Sequence, residues 1–256
     1  MRYRVVTKNT LAVAFMLCLS LVLAVAGISG RLAVSSAVNA ENQRLIPIYC
    51  VDTNEKKVAI TFDAAWGAED TDELIGILKE YNAKATVFVV GEWARKYPDS
   101  VKAFFSAGHE IGNHSDSHKA YSKLNFDEIK ADINLCSDSV QAAIGEKPVL
   151  LRAPSGDYSN NTITAAESLS MKTIQWSVDS LDWQGLETDE IIKRVTGAAE
   201  NGSIILFHND VKNTPKALRG VLEDLSKKGF SFVTVSDLVF QNNYKIDGAG
   251  KQIKLS

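Results

Sequence analysis

From Lys57 onward, short apolar runs alternate with longer stretches of helical periodicity, and this alternation constrains the fold more than any other feature. Strand–helix alternation predicts an α/β fold with a largely parallel sheet. Seven runs are predicted as strands: Val58–Phe62, Ala85–Val90, His109–Gly112, Val149–Leu151, Thr173–Val178, Ser203–Phe207 and Phe230–Val235. Seven strands suit an irregular barrel, although periodicity alone does not distinguish a barrel from an open sheet.

One helix is predicted together with both of its ends. Six apolar residues recur at steps of three and four and place one stripe against a core: Phe126, Ile129, Ile133, Cys136, Val140 and Ile144. Asn125, with Glu128 three residues later, predicts an N-terminal cap, and Gly145 predicts the stop. Asp70, with Glu73, predicts a similar cap for a helix over residues 71–81.

The N-terminal stretch predicts a membrane or export segment. Residues 11–28 are apolar apart from Ser20 and follow a basic start that contains Arg2, Arg4 and Lys8. As a helix the stretch would span ~27 Å, about the thickness of the hydrocarbon core of a bilayer. We expect an uncleaved transmembrane anchor, with a cleaved signal peptide and a buried helix as alternatives. The first two place the remaining chain outside the cytoplasm, on the cell membrane or secreted.

These patterns predict four regions. A signal anchor or signal peptide occupies residues 1–30, and a small, polar tether occupies residues 31–55. The folded domain is expected over residues 56–240. Residues 241–256 have no sustained apolar pattern and are expected to form a loose tail.

Charge and cysteine content exclude two further classes. With 28 basic and 31 acidic residues, the chain has no excess of basic charge for nucleic-acid binding. Three cysteines make a poor disulfide framework. Cys18 lies in the apolar segment, and Cys136 lies on the apolar face of a predicted helix, where a buried free thiol is expected. A bridge between Cys50 and Cys136 is the alternative.

Three of the four histidines fall in two dense segments, and they point to metal binding or proton transfer. His114 and His118 are four residues apart, so on a helical turn both rings would face one divalent metal. The alternative is a pair of exposed or capping histidines. His208 ends another apolar run, and imidazole transfers protons near neutral pH. His109 has no partner at metal spacing and is expected to be structural.

Asp63 and Arg152 each follow an apolar strand. Asp63 is expected to act as a general base towards a metal-bound water, and Arg152 to pair with it and keep it ionised. The Pro154–Gly156 turn offers the backbone N–H of Ser155 to an oxyanion. The alternatives are an Asx-turn or a helix cap for Asp63, and a surface position beside an ordinary turn for Arg152.

Two acids and two indoles cluster at a further strand end. Asp179 directly follows its strand and is expected to bond His208 and raise its pKa, with Asp182 as the alternative partner. Trp183 and Leu206 would form an apolar wall beside a small acyl methyl. Core packing is the alternative for the tryptophans. Because functional residues of parallel barrels gather at the carboxyl ends of strands, we expect all these positions to converge.

Five motifs in this order resemble the polysaccharide deacetylase family with the NodB homology domain. They are Thr-Phe-Asp, His-Ser-x-x-His, Arg-x-Pro-x-Gly, Asp-x-x-Asp-Trp and Leu-x-His, and they fall within residues 56–240. The resemblance implies a deformed (β/α) barrel of about seven parallel strands. It also implies metal-dependent removal of acetyl groups from an extracellular glycan, such as peptidoglycan. The predicted anchor and the variant Thr-Phe-Asp-Ala-Ala-Trp-Gly look most like sporulation-associated members.

Carried over to this chain, the resemblance assigns roles to the same residues. Asp63 would be the base, and Arg152 would orient it. His208 would be the general acid, tuned by Asp179. His114 and His118 would be metal ligands, with zinc expected, and the Ser155 N–H would bind the oxyanion.

One position departs from the family pattern. The family places a second Asp directly after the base, where it completes the metal site, but this chain has Ala64. A methyl group cannot bind a metal, and three protein ligands are the norm for catalytic zinc. Glu69, Asp70 and Asp116 are the carboxylates that could substitute.

Three functions therefore compete at this stage. The leading hypothesis is a glycan deacetylase acting on carbon–nitrogen bonds at the cell wall. The second is a glycan-binding protein with weak or no catalysis, which Ala64 favours. The third is an amidohydrolase on a small extracellular substrate, which a narrow, closed pocket would favour.

Overall fold

A computed structural model describes residues 44–255, and those from Leu45 onward form one compact unit. The predicted membrane segment over residues 1–30 lies outside the described residues. Within residues 44–255, no helix combines the length and the apolar character needed to cross a bilayer.

The described strands are short, and most belong to one parallel sheet. In chain order they are β1 (Cys50–Val51), β2 (Lys57–Ala64), β3 (Ala85–Val89), β4 (Glu110–Asn113), β5 (Leu150–Leu151), β6 (Lys172–Thr173), β7 (Val178–Asp179), β8 (Ile204–His208), β9 (Ser231–Phe232), β10 (Tyr244–Ile246) and β11 (Lys251–Lys254). The main sheet has the order β6-β5-β4-β3-β2-β8-β7, and β9 pairs with β2. All these pairings are parallel.

One short connection shows that the sheet curves towards a barrel. β6 and β7 lie at opposite edges of the sheet, yet only residues 174–177 separate them in the chain. The five Cα steps from Thr173 to Val178 span at most roughly 18 Å, so the two edges come close together. The predicted (β/α) barrel of parallel strands is confirmed. The prediction of one strand over Thr173–Val178 is wrong, because this run divides between the two edges.

The helices lie between the strands, as the alternation predicts. They are α1 (Thr71–Glu80), α2 (Gly91–Lys96), α3 (Pro98–Ser106), α4 (Phe126–Ile144), α5 (Asn160–Ser168), α6 (Thr188–Ala198), α7 (Thr214–Lys227) and α8 (Val235–Leu238). Alternate residues of β2, including Ile60 and Phe62, pack with Leu74 of α1 and Leu218 of α7 in the largest core cluster. The intervening residues of β2, among them Asp63, are therefore free to face the barrel interior.

The two predicted helix caps differ in outcome. Around α4, Asn125 accepts from the Glu128 N–H, Glu128 bonds back, and Gly145 ends the helix in the left-handed region, all as predicted. α1 begins at Thr71 as expected, but Asp70 makes no side-chain cap. Instead, Asp70 Oδ2 accepts a hydrogen bond from the backbone N–H of Asp210 at 2.7 Å.

Both ends of the folded unit extend beyond the predicted boundaries. Ile48, in the predicted tether, is buried, and β1 pairs in parallel with β11. The prediction of a loose tail over residues 241–256 is wrong, because β10 and β11 form an antiparallel hairpin there. Buried Gln252 fixes this hairpin by exchanging two hydrogen bonds with the backbone of Phe240. A polar residue anchors the segment, so an apolar pattern does not reveal it.

The two described cysteines are free thiols, and the burial of Cys136 agrees with the prediction. Cys136 is buried in the core as a free thiol, and Cys50 on β1 is also free. The alternative of a bridge between them is therefore wrong.

Candidate active site

The register of the sheet places Asp63 and His208 side by side at the carboxyl ends of adjacent strands. Asp63 of β2 is the direct partner of His208 of β8. Paired residues of neighbouring strands face the same side, so the carboxylate and the imidazole share one space. That space is a cavity of about 340 Å³ lined by Asp63, Ala65, Trp66, His114, His118, Ser155, Trp176, Asp179, Trp183, Leu206 and His208.

Asp63 is held in its ionised form. Arg152 donates from Nη1 to Asp63 Oδ1 at 2.8 Å, and both side chains are buried. Burial by itself raises the pKa of the Asp63 carboxyl, but its interactions with His114, Arg152 and His208 outweigh burial and lower the pKa below its usual value. The carboxylate is therefore able to accept a proton at neutral pH.

Arg152 is fixed inside the barrel. Its guanidinium lies 4.1 Å from the ring centre of Phe88 and 5.5 Å from that of Trp176. Nη1 also donates to Thr61 Oγ1 at 2.9 Å, and Nη2 donates to the Gln175 carbonyl at 3.2 Å. These contacts fix the direction of the guanidinium and, through it, the orientation of Asp63.

His114 presents a ring nitrogen to Asp63. Its Nδ1 lies 2.9 Å from the Arg152 carbonyl, to which only a protonated nitrogen can donate. Burial lowers the pKa of His114 to about 4, so the ring is neutral at pH 7 and Nε2 carries a lone pair. Nε2 lies 3.4 Å from Asp63 Oδ2. Two acceptors that face each other in this way favour a proton or a cation between them.

His118 meets His114, but not on a helical turn. The two ring centres are 5.1 Å apart. The predicted helical turn is wrong, because Ser115 and His118 both have positive φ values, of 68° and 57°. The His118 N–H bonds instead to Ser115 Oγ at 2.8 Å, and the imidazole of His118 lies at the exposed side of the cavity.

Within residues 44–255, the structure does not fit a metal centre with three protein ligands. Ala64, the last residue of β2, is buried beside Val89 and offers only a methyl group. Asp116 points away from the cavity and binds Arg95 through both oxygens, while Asp70 bonds to the backbone of Asp210. Glu69 bonds to the Ala68 N–H. The two imidazoles therefore lack the carboxylate that would complete the set.

Asp182, rather than Asp179, is the partner of His208. Asp182 Oδ1 lies 2.8 Å from His208 Nδ1, and its Oδ2 accepts from the His208 N–H at 2.8 Å and from Thr214 Oγ1 at 2.6 Å. Burial alone would lower the pKa of His208, but the hydrogen bond and charge of Asp182 outweigh burial and raise the pKa above 6.5. The imidazolium is thereby stabilised at the cavity.

The expected bond from Asp179 is wrong because the chain turns immediately after it. Asp179 accepts from the Leu181 N–H at 2.9 Å and from Trp176 Nε1 at 3.2 Å. Leu181 adopts a left-handed conformation with a φ of 54°, and the following 3₁₀ turn brings Asp182 under His208. Asp179 still lines the cavity. Sequence analysis missed Thr214, which the sequence separates from His208 by five residues.

The expected oxyanion and acyl residues also line the cavity. Ser155 has a φ of 54° in a turn whose own hydrogen bonds are donated by Gly156 and Asp157. Leu206 is buried in the wall, and Trp183 is 54% exposed at the rim. Sequence analysis also missed Trp66, which follows Asp63 by three residues and lies with its ring centre 5.5 Å from that of His208.

Comparisons with known proteins identify relatives of this chain. A family model for polysaccharide deacetylase matches residues 51–174. A peptidoglycan-N-acetylglucosamine deacetylase from Bacillus cereus is 35% identical over 189 residues, which cover 72% of this chain and 69% of that protein. An uncharacterized Bacillus subtilis protein, YlxY, is 32% identical over 80% of this chain, but the match spans only 64% of its own length.

Solved structures give the same fold. A CE4 family pseudoenzyme from Bacillus anthracis superimposes with a TM-score of 0.74 at 29% identity, over 84% of this chain and 75% of the other. A mutant of that pseudoenzyme with restored enzymatic activity superimposes with a TM-score of 0.73 at 32% identity, over 77% and 72%. The present chain, with its parallel barrel and its five ordered motifs around one cavity, belongs to the polysaccharide deacetylase family.

Proposed function

We propose that this protein is a hydrolase that removes N-acetyl groups from a cell-wall glycan, with peptidoglycan as the preferred substrate. One observation carries the proposal. Asp63 and His208 are register partners in the cavity, and their surroundings favour opposite protonation states, an ionised carboxylate and an imidazolium. A pair of groups tuned in this way is what an acid–base hydrolysis requires.

In the proposed reaction each group has one task. Asp63 takes a proton from a water molecule, whose oxygen attacks the carbonyl carbon of the acetamide. The Ser155 N–H stabilises the negative charge that develops on the carbonyl oxygen. The bond from carbon to nitrogen then breaks, and His208 donates a proton to the leaving amine. Acetate and a free amino sugar are the products.

The surrounding residues hold these groups in place. Arg152 keeps Asp63 ionised and oriented, and Asp182 keeps the ring of His208 aligned through its Nδ1. Leu206 and Trp183 offer the acetyl methyl an apolar wall. The described residues offer His114 and His118 without a third ligand, so they do not fit a three-ligand metal centre.

The substrate class is supported by the named relatives and by the open cavity. The relative from Bacillus cereus carries the name of a peptidoglycan-N-acetylglucosamine deacetylase. Half-exposed Trp66 and Trp183 line the cavity, which suits a chain-like glycan better than a small enclosed substrate. The membrane anchor over residues 1–30 and a role in sporulation stay predictions from the sequence.

The test measures acetate released from peptidoglycan and from N-acetylated chito-oligomers by the purified full-length protein, with zinc supplied. We expect release that falls at least about 100-fold in Asp63→Asn and in His208→Ala, because each removes one proton-transfer group. Leu135→Ala, which trims an exposed side chain outside the cavity, serves as the control. The absence of acetate from every glycan tested would reject the proposed reaction.

A second function, glycan binding without efficient turnover, is favoured by Ala64. Ala64 is the last residue of β2, at the position where the family has a metal-binding Asp, while the proposed base, acid and their hydrogen-bond partners are all present. The Bacillus anthracis structure of the same fold is described as a pseudoenzyme. Saturable glycan binding by a protein that releases no acetate would select this second function.

A further inference from the structure

Trp66 is exposed to an unusual degree for its position. The chain has four tryptophans, and the two that are more than half exposed, Trp66 at 51% and Trp183 at 54%, both line the cavity. Trp93 is buried in the core. Leaving a large indole half in water forgoes the free energy of burial, so core packing does not account for Trp66.

The backbone beside Trp66 is braced against the His208 strand end. The carbonyl of Gly67 accepts from Trp93 Nε1 at 2.8 Å and also from Asn209 Nδ2. The Gly67 N–H donates to Asp210 Oδ2 at 2.9 Å. Two of the three groups that hold Gly67 thus belong to the residues directly after His208.

A side chain at position 67 would disturb this bracing, because it would displace two carboxylate side chains. A Cβ added to Gly67 would lie 2.4 Å from Asp210 Oδ2 and 2.2 Å from Glu69 Oε2. The three hydrogen bonds at Gly67 hold the backbone next to Trp66 in place relative to His208, and the indole lies with its ring centre 5.5 Å from that of the imidazole. A half-exposed aromatic face on a braced backbone is a binding surface that loses little backbone entropy when a ligand arrives.

We infer that Trp66 is a substrate-positioning residue whose indole stacks against the apolar C–H face of the sugar ring that bears the acetamide, next to His208. The inference rests on the proposed glycan cleft and adds a residue to it. A pyranose ring has the flat C–H face that packs on an indole, while its hydroxyl groups stay in water. Stacking beside His208 would place the nitrogen of the acetamide within reach of the proton donor.

The test compares binding of penta-N-acetylchitopentaose to full-length variants by isothermal titration calorimetry. Trp66→Leu keeps an apolar side chain but removes the aromatic face, and Trp66→Phe restores a smaller aromatic face. We expect Trp66→Leu to bind about ten-fold more weakly than the native protein, and Trp66→Phe to stay within about three-fold. Leu135→Ala, which trims an exposed side chain outside the cavity, controls for lost apolar area and should bind like the native protein.

A kinetic readout separates positioning from structural damage. In active protein, Trp66→Leu should raise KM more than it lowers kcat, because stacking is made in the ground state and the transition state alike. Native-like binding by Trp66→Leu, or equal losses in Trp66→Leu and Trp66→Phe, would overturn the inference, as would the absence of saturable binding to the native protein. If binding follows the expected order but no acetate is released, the proposed reaction fails while the role of Trp66 stands.

Discussion

At the scale of single residues, the site is held by two buried ion pairs that shift the pKa values of the proposed base and acid in opposite directions. Arg152 lowers the pKa of the Asp63 carboxyl, whereas Asp182 raises the pKa of the His208 imidazole. Both supporting side chains are fully buried. Removal of either partner would leave a charge or a polar group uncompensated in the interior, which costs more than the pair itself contributes.

The first prediction concerns the pKa of His208. In Asp182→Asn we expect this pKa to fall, because burial still disfavours the imidazolium while the largest raising contribution, the hydrogen bond and charge of Asp182, is gone. Asp179→Asn is the matched control, since Asp179 bonds to Leu181 and Trp176 and should change the pKa of His208 much less. Titration of the imidazole C–H signals by NMR measures both. An unchanged pKa in Asp182→Asn would contradict the assignment.

The Asp182–His208 pair also determines how stability changes with pH. Because the folded pKa of His208 is above its ordinary value, the stability that the pair contributes is present below about pH 6.5 and is lost as pH rises through the folded pKa. Deacetylation that needs the imidazolium should decline over the same upper range. In Asp182→Asn this alkaline decline should begin at lower pH.

At the scale of elements, two glycines, one inside a helix and one at a helix end, differ in the backbone conformation that each position requires. Gly76 lies inside α1, where an added Cβ would meet nothing within 4 Å. Gly145 ends α4 with a φ of +84°, and an added Cβ there would also meet nothing within 4 Å. Space is therefore equal at the two sites, and only the backbone conformation differs.

The second prediction follows from this difference. Gly76→Ala should raise the free energy of unfolding by about 0.5–1 kcal/mol, because alanine favours the helix. Gly145→Ala should lower that free energy by about 1 kcal/mol, because a Cβ disfavours the left-handed conformation. Urea denaturation of the two variants provides the measurement. Stabilisation by Gly145→Ala would show that this helix end is not held left-handed.

The sequence predicts elements well where neighbouring residues decide the outcome. The ends of α4 depend on Asn125, Glu128 and Gly145, all close in the chain, and the prediction is confirmed. The division of the run 173–178 depends on partners at both sheet edges, and the C-terminal hairpin depends on pairing with β1. A local sequence pattern does not identify such distant strand partners.

The same limit explains what sequence analysis could establish about the site. Strand ends predict that Asp63, Arg152 and His208 converge, because parallel strands share one edge. Whether Asp179 or Asp182 bonds His208 depends on the left-handed turn at Leu181, and a leucine does not predict this conformation. Five of the eight non-glycine residues with positive φ in the described chain lie in the loops after β4, β5, β7 and β8: Ser115, His118, Ser155, Leu181 and Asp210.

At the scale of the whole molecule, buried neutral histidines make the folded state sensitive to acid. Burial lowers the pKa of His109 to about 4, and its Nδ1 accepts from the Ala85 N–H at 3.2 Å. His114 is also shifted to about 4, mainly by burial. The unfolded chain binds these protons near pH 6.5, so stability falls as pH drops from about 6.5 to about 4.

The third prediction is that the free energy of unfolding of His109→Asn changes less with pH in the acid range than that of the native protein. Each such histidine contributes up to about 1.4 kcal/mol per pH unit in this window, and asparagine can still accept from the Ala85 N–H. The variant should be less stable at pH 7 because the side chain is smaller, but its stability should change less between pH 6.5 and pH 4.5. Urea midpoints across this range test it. A slope as steep as that of the native protein would assign the acid sensitivity elsewhere.

The proposed convergence of a base, an acid and two candidate metal ligands on one cavity is tested most directly at Ala64. Ala64 pairs with Val89, whose carbonyl accepts from the His114 N–H at 2.9 Å, so position 64 lies beside the histidine loop. Bound zinc and released acetate are measured together in the native protein, in Ala64→Asp and in Ala64→Asn, which controls for the burial of a polar group. We predict that Ala64→Asp raises zinc occupancy and increases acetate release at least about ten-fold, since it supplies a third ligand, while Ala64→Asn does neither. Folded Ala64→Asp that binds no more zinc and releases no more acetate than Ala64→Asn would contradict this account of the site.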